Sequence, residues 1–79
     1  MQVGDILIKE TDCWTSIILI LEVYKKGKIN KVTVFDEKGK VDKDIDESIK
    51  FFYDTKTISH NGSLRAGMAE FMDKYYKGE

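Results

Sequence analysis

Hydrophobic residues in the first half of the chain fall into short blocks separated by polar breaks, several of which contain glycine. The strongest block is Ser16-Ile17-Ile18-Leu19-Ile20-Leu21-Glu22-Val23-Tyr24, which stops at Lys25-Lys26-Gly27-Lys28. Ile29 to Phe35 follows and is ended by Glu37-Lys38-Gly39-Lys40. Two β-branched runs joined by a short turn that contains Gly predict a β-hairpin. Upstream, Val3 to Lys9 predicts a first strand with Ile6 and Ile8 on one face and Leu7 on the other. Glu10 to Thr15 then forms a polar loop that carries one large aromatic, Trp14. The central strand, about Ser16 to Lys25, is apolar on both faces. That pattern predicts burial on both sides, or a strand that bends around a small barrel. The next strand, Lys28 to Asp36, places Ile29, Lys31, Thr33 and Phe35 on one face and Asn30, Val32 and Val34 on the other. A fourth, polar strand over Lys40–Lys43 belongs at an edge, where Lys and Asp discourage sheet-to-sheet association.

The pattern changes after residue 43. Asp44 is a helix cap with Glu47 three residues on, and Ile45, Ile49, Phe52 and Tyr53 recur at helical spacing, which predicts a short helix over 45–53. The competing reading is a strand over 48–58, because Phe51, Phe52, Tyr53, Thr55 and Thr57 all favour strands. A helical turn leading into a strand near Thr55–Ser59 satisfies both. His60-Asn61-Gly62-Ser63 is a turn with a good N-cap at Ser63. From Ser63 to Tyr76 the spacing predicts a helix whose apolar stripe is Leu64, Met68, Phe71, Met72 and Tyr75. Gly67 inside that helix costs about 1 kcal/mol relative to Ala, so it signals close approach to another backbone.

Composition narrows the class. A 79-residue chain with 42% hydrophobic and 34% charged residues reads as a single domain, 1–79, with a thin stability margin. The longest apolar run, Ile17–Leu21, is far below the ~20 residues of a membrane span, so no membrane association is expected. Met1 to Asp5 has no basic start and no apolar core, so no secretory signal is expected. The single cysteine, Cys13, permits no internal disulfide and fits a reducing, cytoplasmic setting. The net charge of −1 conceals an alternation: −3 over residues 1–24, +4 over 25–40, −3 over 41–54 and +1 over 55–79. Twelve of the thirteen basic residues are Lys, and only Arg65 is Arg, which speaks against a dedicated phosphate or base reader.

The opening Val3-Gly4-Asp5-Ile6-Leu7, the loop ending in Trp14 and the meander Ile17–Tyr24, Ile29–Phe35, Gly39–Val41 together resemble the small SH3-like barrels of short prokaryotic and phage proteins. The resemblance covers about residues 3–59; the C-terminal helix over 63–76 is an addition. The expected fold is therefore α+β: a small antiparallel SH3-like β-barrel or strongly bent meander with an amphipathic helix packed on it. The resemblance implies binding of peptides, proteins or nucleic acid through loops and the barrel face, and seldom catalysis. Peptide-binding SH3 domains carry a row of aromatics and a Pro in their groove, whereas this chain has one Trp and no Pro, a departure that argues against proline-rich ligands.

Candidate chemistry is sparse. His60 is the only histidine and has no Cys or His partner set for a metal, so it reads as a solvated loop residue. Cys13 as a nucleophile would need His60 as its base, and a lone Cys is ordinarily a small apolar residue. Asp42, Asp44, Asp46 and Glu47 start like a Ca²⁺ loop, but the sixth and twelfth positions hold Glu47 and Tyr53 instead of Gly and Glu, so they read as a solvated acidic turn. No enzyme activity and no cofactor are expected. Trp14 either closes the barrel end as a lid or anchors a partner. The binding candidates are Trp14, Lys25, Lys26, Lys28, Lys31, Arg65 and Tyr76. Size, composition and the resemblance point to a small inhibitor, encoded by a phage or mobile element, that masks a surface on a larger host protein. The alternatives are a nucleic-acid-binding module using the hairpin lysines, and a ligand-binding or self-assembling barrel, with the chain a monomer or a dimer.

Overall fold

The computed structural model describes residues 1–49 and 56–75 of the chain. Five strands form one antiparallel sheet: β1 (Ile6–Glu10), β2 (Thr15–Lys26), β3 (Ile29–Asp36), β4 (Gly39–Asp44) and β5 (Lys56–Ile58). Their spatial order is β4-β3-β2-β1-β5, so the sheet is open, with β4 and β5 at its two edges. The helix α1 (Leu64–Glu70) follows and continues into a π-helical turn over Phe71–Tyr75. The fold is α+β, and among the described residues no pairing joins β4 to β5. The expected short helix over 45–53 is described only to Ile49. Over that part the chain turns, with the Asp44 carboxylate accepting from the amides of Asp46 (2.9 Å) and Glu47 (3.2 Å). Residues 50–53, and Tyr76, lie outside the described residues. None of the described helices is long and apolar enough to cross a membrane.

The two-sided apolar pattern of the central strand is explained by a cover on each face. On one face Leu7, Ile18, Ile20, Val32 and Val34 pack against Ile49, with Val41 and Ile45 at the margin. On the other, Ile6, Ile8 and Leu19 pack against Phe71 of the π-helical turn. Phe71 is the largest fully buried side chain and meets Phe35 edge-on, centroids 5.7 Å apart. Register pairs Ile20 with Val34 and then Glu22 with Thr33, so Leu21 is an extra residue, a β-bulge. The bulge shifts the alternation of β2 by one. Ile18 and Ile20 share the Ile49 face before it, and Val23 and Lys25 share that face after it.

The helix is fixed by two glycines. Gly4 sits at φ +94° in the turn before β1, and a Cβ there would overlap the carbonyl of Ser63. A Cβ at Gly67 would overlap the carbonyl of Gly4 and lie 2.7 Å from its Cα. The close approach expected of Gly67 is therefore to the protein's own backbone. Ser63 caps as expected, its Oγ accepting from Ala66 N–H at 3.2 Å. The turn before it has positive φ at both Asn61 (54°) and Gly62 (81°) and closes with Ser63 N–H on His60 C=O at 2.9 Å.

One expectation needs correction. Met68 and Met72 are 44% and 49% exposed and do not belong to the packed stripe. Gly67 faces Gly4, so the inward line is Leu64, Gly67, Phe71 and Tyr75, and the methionines one position on are rotated by about 100° towards solvent. Gly67→Ala should destabilise the fold by roughly 2–3 kcal/mol in urea unfolding through backbone overlap. Gly27→Ala should cost about 1 kcal/mol, because its Cβ meets nothing within 4 Å and only φ +64° opposes it. Equal costs at the two sites would contradict this packing.

Candidate functional site

Three turns divide the chemistry of this molecule between the two ends of β2. The turn after Glu10 and the turn between β3 and β4 lie at one end. The Gly27-Lys28 turn lies at the other, separated by a 12-residue strand that rises about 3.3 Å per residue. The candidate residues are accordingly split. Trp14 sits at the first end, while Lys25, Lys26, Lys28 and Lys31 cluster at the second. Arg65 is exposed on the first turn of α1. The hairpin lysines are likewise divided, with Lys38 and Lys40 at the Trp14 end, so they do not form one basic surface.

The Trp14 end has the more developed geometry. Thr11 organises the turn: its Oγ1 accepts from the amides of Cys13 (3.2 Å) and Trp14 (3.1 Å), and its own amide donates to Trp14 C=O at 2.8 Å. The Thr11 hydroxyl also donates to Trp14 C=O at 3.2 Å, so three of the turn's four hydrogen bonds hold the Trp14 backbone. Of the residue's surface 43% remains exposed, so it is no closed lid. Beside it runs a shallow groove of about 340 Å³ with Ile17 in its floor and Asp36 and Glu37 on its wall. A second groove of about 450 Å³ shares Thr15 and Ile17 with the first and extends over Ile8 to Tyr75 and Lys56. Together they form a trough of mixed lining, with Ile8 and Ile17 between Trp14 and Tyr75, Asp36 and Glu37 beside Trp14, and Lys9, Glu10 and Lys56 in the second groove.

The rest of the polar chemistry is structural in its placement. Asp5 is 3% exposed, and its carboxylate accepts from Gln2 N–H at 2.9 Å and His60 N–H at 3.3 Å. His60 is not the solvated loop residue expected. Its side chain is 15% exposed, with Nε2 3.2 Å from Glu70 Oε1, close enough for an ion pair when the imidazole is protonated but outside hydrogen-bond geometry. It is held there because its amide is tied to Asp5 and its carbonyl closes the turn into α1. Cys13 is exposed beyond the far end of β1 from His60, so thiol and imidazole are not brought together. Among the described residues no group of three His, Cys, Asp or Glu side chains is close enough to hold a metal ion.

Comparison with protein-family models, curated proteins and solved structures found no match to this chain. The site is therefore read from its own geometry.

Sequence reading singled out Trp14 but missed the trough, Tyr75 as its wall, and Asp5. The signal for Asp5 was its position after Gly4: a carboxylate adjoining a glycine turn is a ready acceptor for neighbouring amides. Thr11→Val should remove the Oγ1 acceptor, costing about 1 kcal/mol of stability. It should also raise the local mobility of the only Trp, read as faster fluorescence anisotropy decay. Unchanged anisotropy would mean that Thr11 does not hold the turn.

Proposed function

We propose that this chain is a non-catalytic binding module that masks a surface on a larger protein through its Trp14 end. The observation that carries the reading is an exposed Trp on a turn held by four hydrogen bonds, beside a trough lined by Ile17 and Ile8. Rigid aromatic anchors next to desolvated pockets contribute most of the affinity in protein interfaces, and a held Trp loses little entropy on docking. Asp36 and Glu37 beside Trp14 fit a partner that presents a basic residue next to an apolar one. The bent meander with two covered faces supports reading the sheet as an SH3-like module that works through its loops. The separation of Cys13 from His60 supports a role in contact rather than bond chemistry. A small inhibitor from a phage or mobile element, acting in the cytoplasm on a host protein, remains our reading of the biological setting.

Affinity capture with the intact chain as bait, run beside a Trp14→Ala bait, tests this. The expected result is a protein retained by the parent and weakened at least about 30-fold by Trp14→Ala, the loss typical of a Trp anchor. The thermal melt should be unchanged, because Trp14 is outside both hydrophobic clusters. A partner held equally by both baits would place the interface elsewhere.

A further inference from the structure

We propose that the outer edge of β2 over Glu22–Lys26 is a self-recognition strand, through which two copies of this chain pair antiparallel into one continuous sheet. β1 covers β2 only from Thr15 to Leu19. The last bonds across that seam are Gly4 N–H to Ile20 C=O (2.8 Å) and Ile20 N–H to Asp5 C=O (2.9 Å). Beyond the Leu21 bulge, β2 continues to Lys26 and, among the described residues, only β3 pairs with it there.

The register says which groups face outward. Lys26 and Ile29 flank a two-residue loop and form a hydrogen-bonded pair. Counting back by two, Tyr24 and Glu22 also direct their main chain to β3, and Val23 and Lys25 direct theirs away. Among the described residues no hydrogen bond meets these outward amides and carbonyls. Val23 is 42% exposed, and Glu22, Lys25 and Lys26 are exposed as well.

Charge complementarity makes the occupant a second copy. Outward residues must face outward residues, which allows three central registers. Lys25 opposite Lys25 sets like charges together. Val23 opposite Val23 leaves Glu22 facing Tyr24. The third register pairs Val23 with Lys25 of the other copy. It joins all four outward groups of each strand, stacks Tyr24 on Tyr24, and sets Glu22 against Lys26 twice about the two-fold axis. Lysines on an open edge ordinarily repel other strands; here Glu22 turns that repulsion into a choice of register.

Sedimentation velocity on the full chain at low salt, up to the order of 1 mM, should show a weak monomer–dimer equilibrium, as expected for a small interface. Lys26→Glu and Glu22→Lys should each raise the dissociation constant about tenfold, and the double swap should restore it, because each single change creates two opposed like charges. Lys25→Pro deletes an outward amide while leaving the β2–β3 bonds intact, so it should be monomeric with a parental circular dichroism spectrum. A parent that stays monomeric throughout, a dimer insensitive to Lys25→Pro, or a folded double swap that does not recover dimerisation would each overturn the proposal.

Discussion

The contact between Gly4 and the Ser63–Gly67 turn is the constraint on which the arrangement depends. Two backbones meet there with no room for a Cβ on either side. That contact sets both the distance and the rotation of the helix on the sheet. With Gly67 pinned, Phe71 falls one helical turn further along and drops between Ile6, Ile8 and Leu19. The Asp5 carboxylate sits at the same junction and ties the N-terminal turn and the His60 turn together. A buried carboxylate that accepts two amides replaces much of the solvation it lost, and its removal would leave both donors unmet. The junction thus fixes the entry of β1, the exit of β5 and the start of α1 at once.

The second organising device is the bulge at Leu21. It divides β2 into a half that pairs with β1, and with β3 only at Leu19 and Ile20, and a half that reaches beyond β1 and pairs with β3. The first half is buried between the helix and the Ile45–Ile49 turn; the second becomes a hairpin arm with an open edge. One extra residue therefore separates the part of the strand that builds the core from the part left available for contact. The phase shift also moves Val23 to the Ile49 face, where it lies outside both hydrophobic clusters and is exposed.

Much of this was legible in the sequence because it is local. The two hairpins, the face assignments of β1 and β3, the edge character of β4 and the Ser63 cap follow from alternation and turn chemistry within a few residues. Gly67 was legible as a close approach because a helix interior Gly needs a reason. What it approached was not, since Gly4 is far away in sequence and the contact is a property of the assembled fold. The same gap misplaced Met68 and Met72: hydrophobicity at helical spacing defines a broad stripe, and only the Gly4 contact selects which side of it turns inward. The bulge left no local mark, because every residue from Ile17 to Leu21 is apolar and either alternation fits. His60 was misjudged because its burial depends on Glu70 and Asp5, which the chain brings together only through the β5–α1 turn. The trough was invisible for a similar reason, as its walls come from residues as distant as Trp14 and Tyr75.

The placement of function follows from these constraints. The Trp14 turn and the β2 edge lie at opposite ends of one long strand, so neither surface can obstruct the other. A contact at the first would be carried by an anchored aromatic beside Ile17, with the flanking carboxylates setting the partner's charge. A contact at the second would be carried by main-chain hydrogen bonds, with side-chain charge setting only the register. Pairing two copies through the β2 edge would place their Trp14 turns at the far ends of a joined sheet, facing apart. Such an arrangement offers two anchors to two sites, and the gain in avidity then depends on whether those sites lie a sheet's length apart.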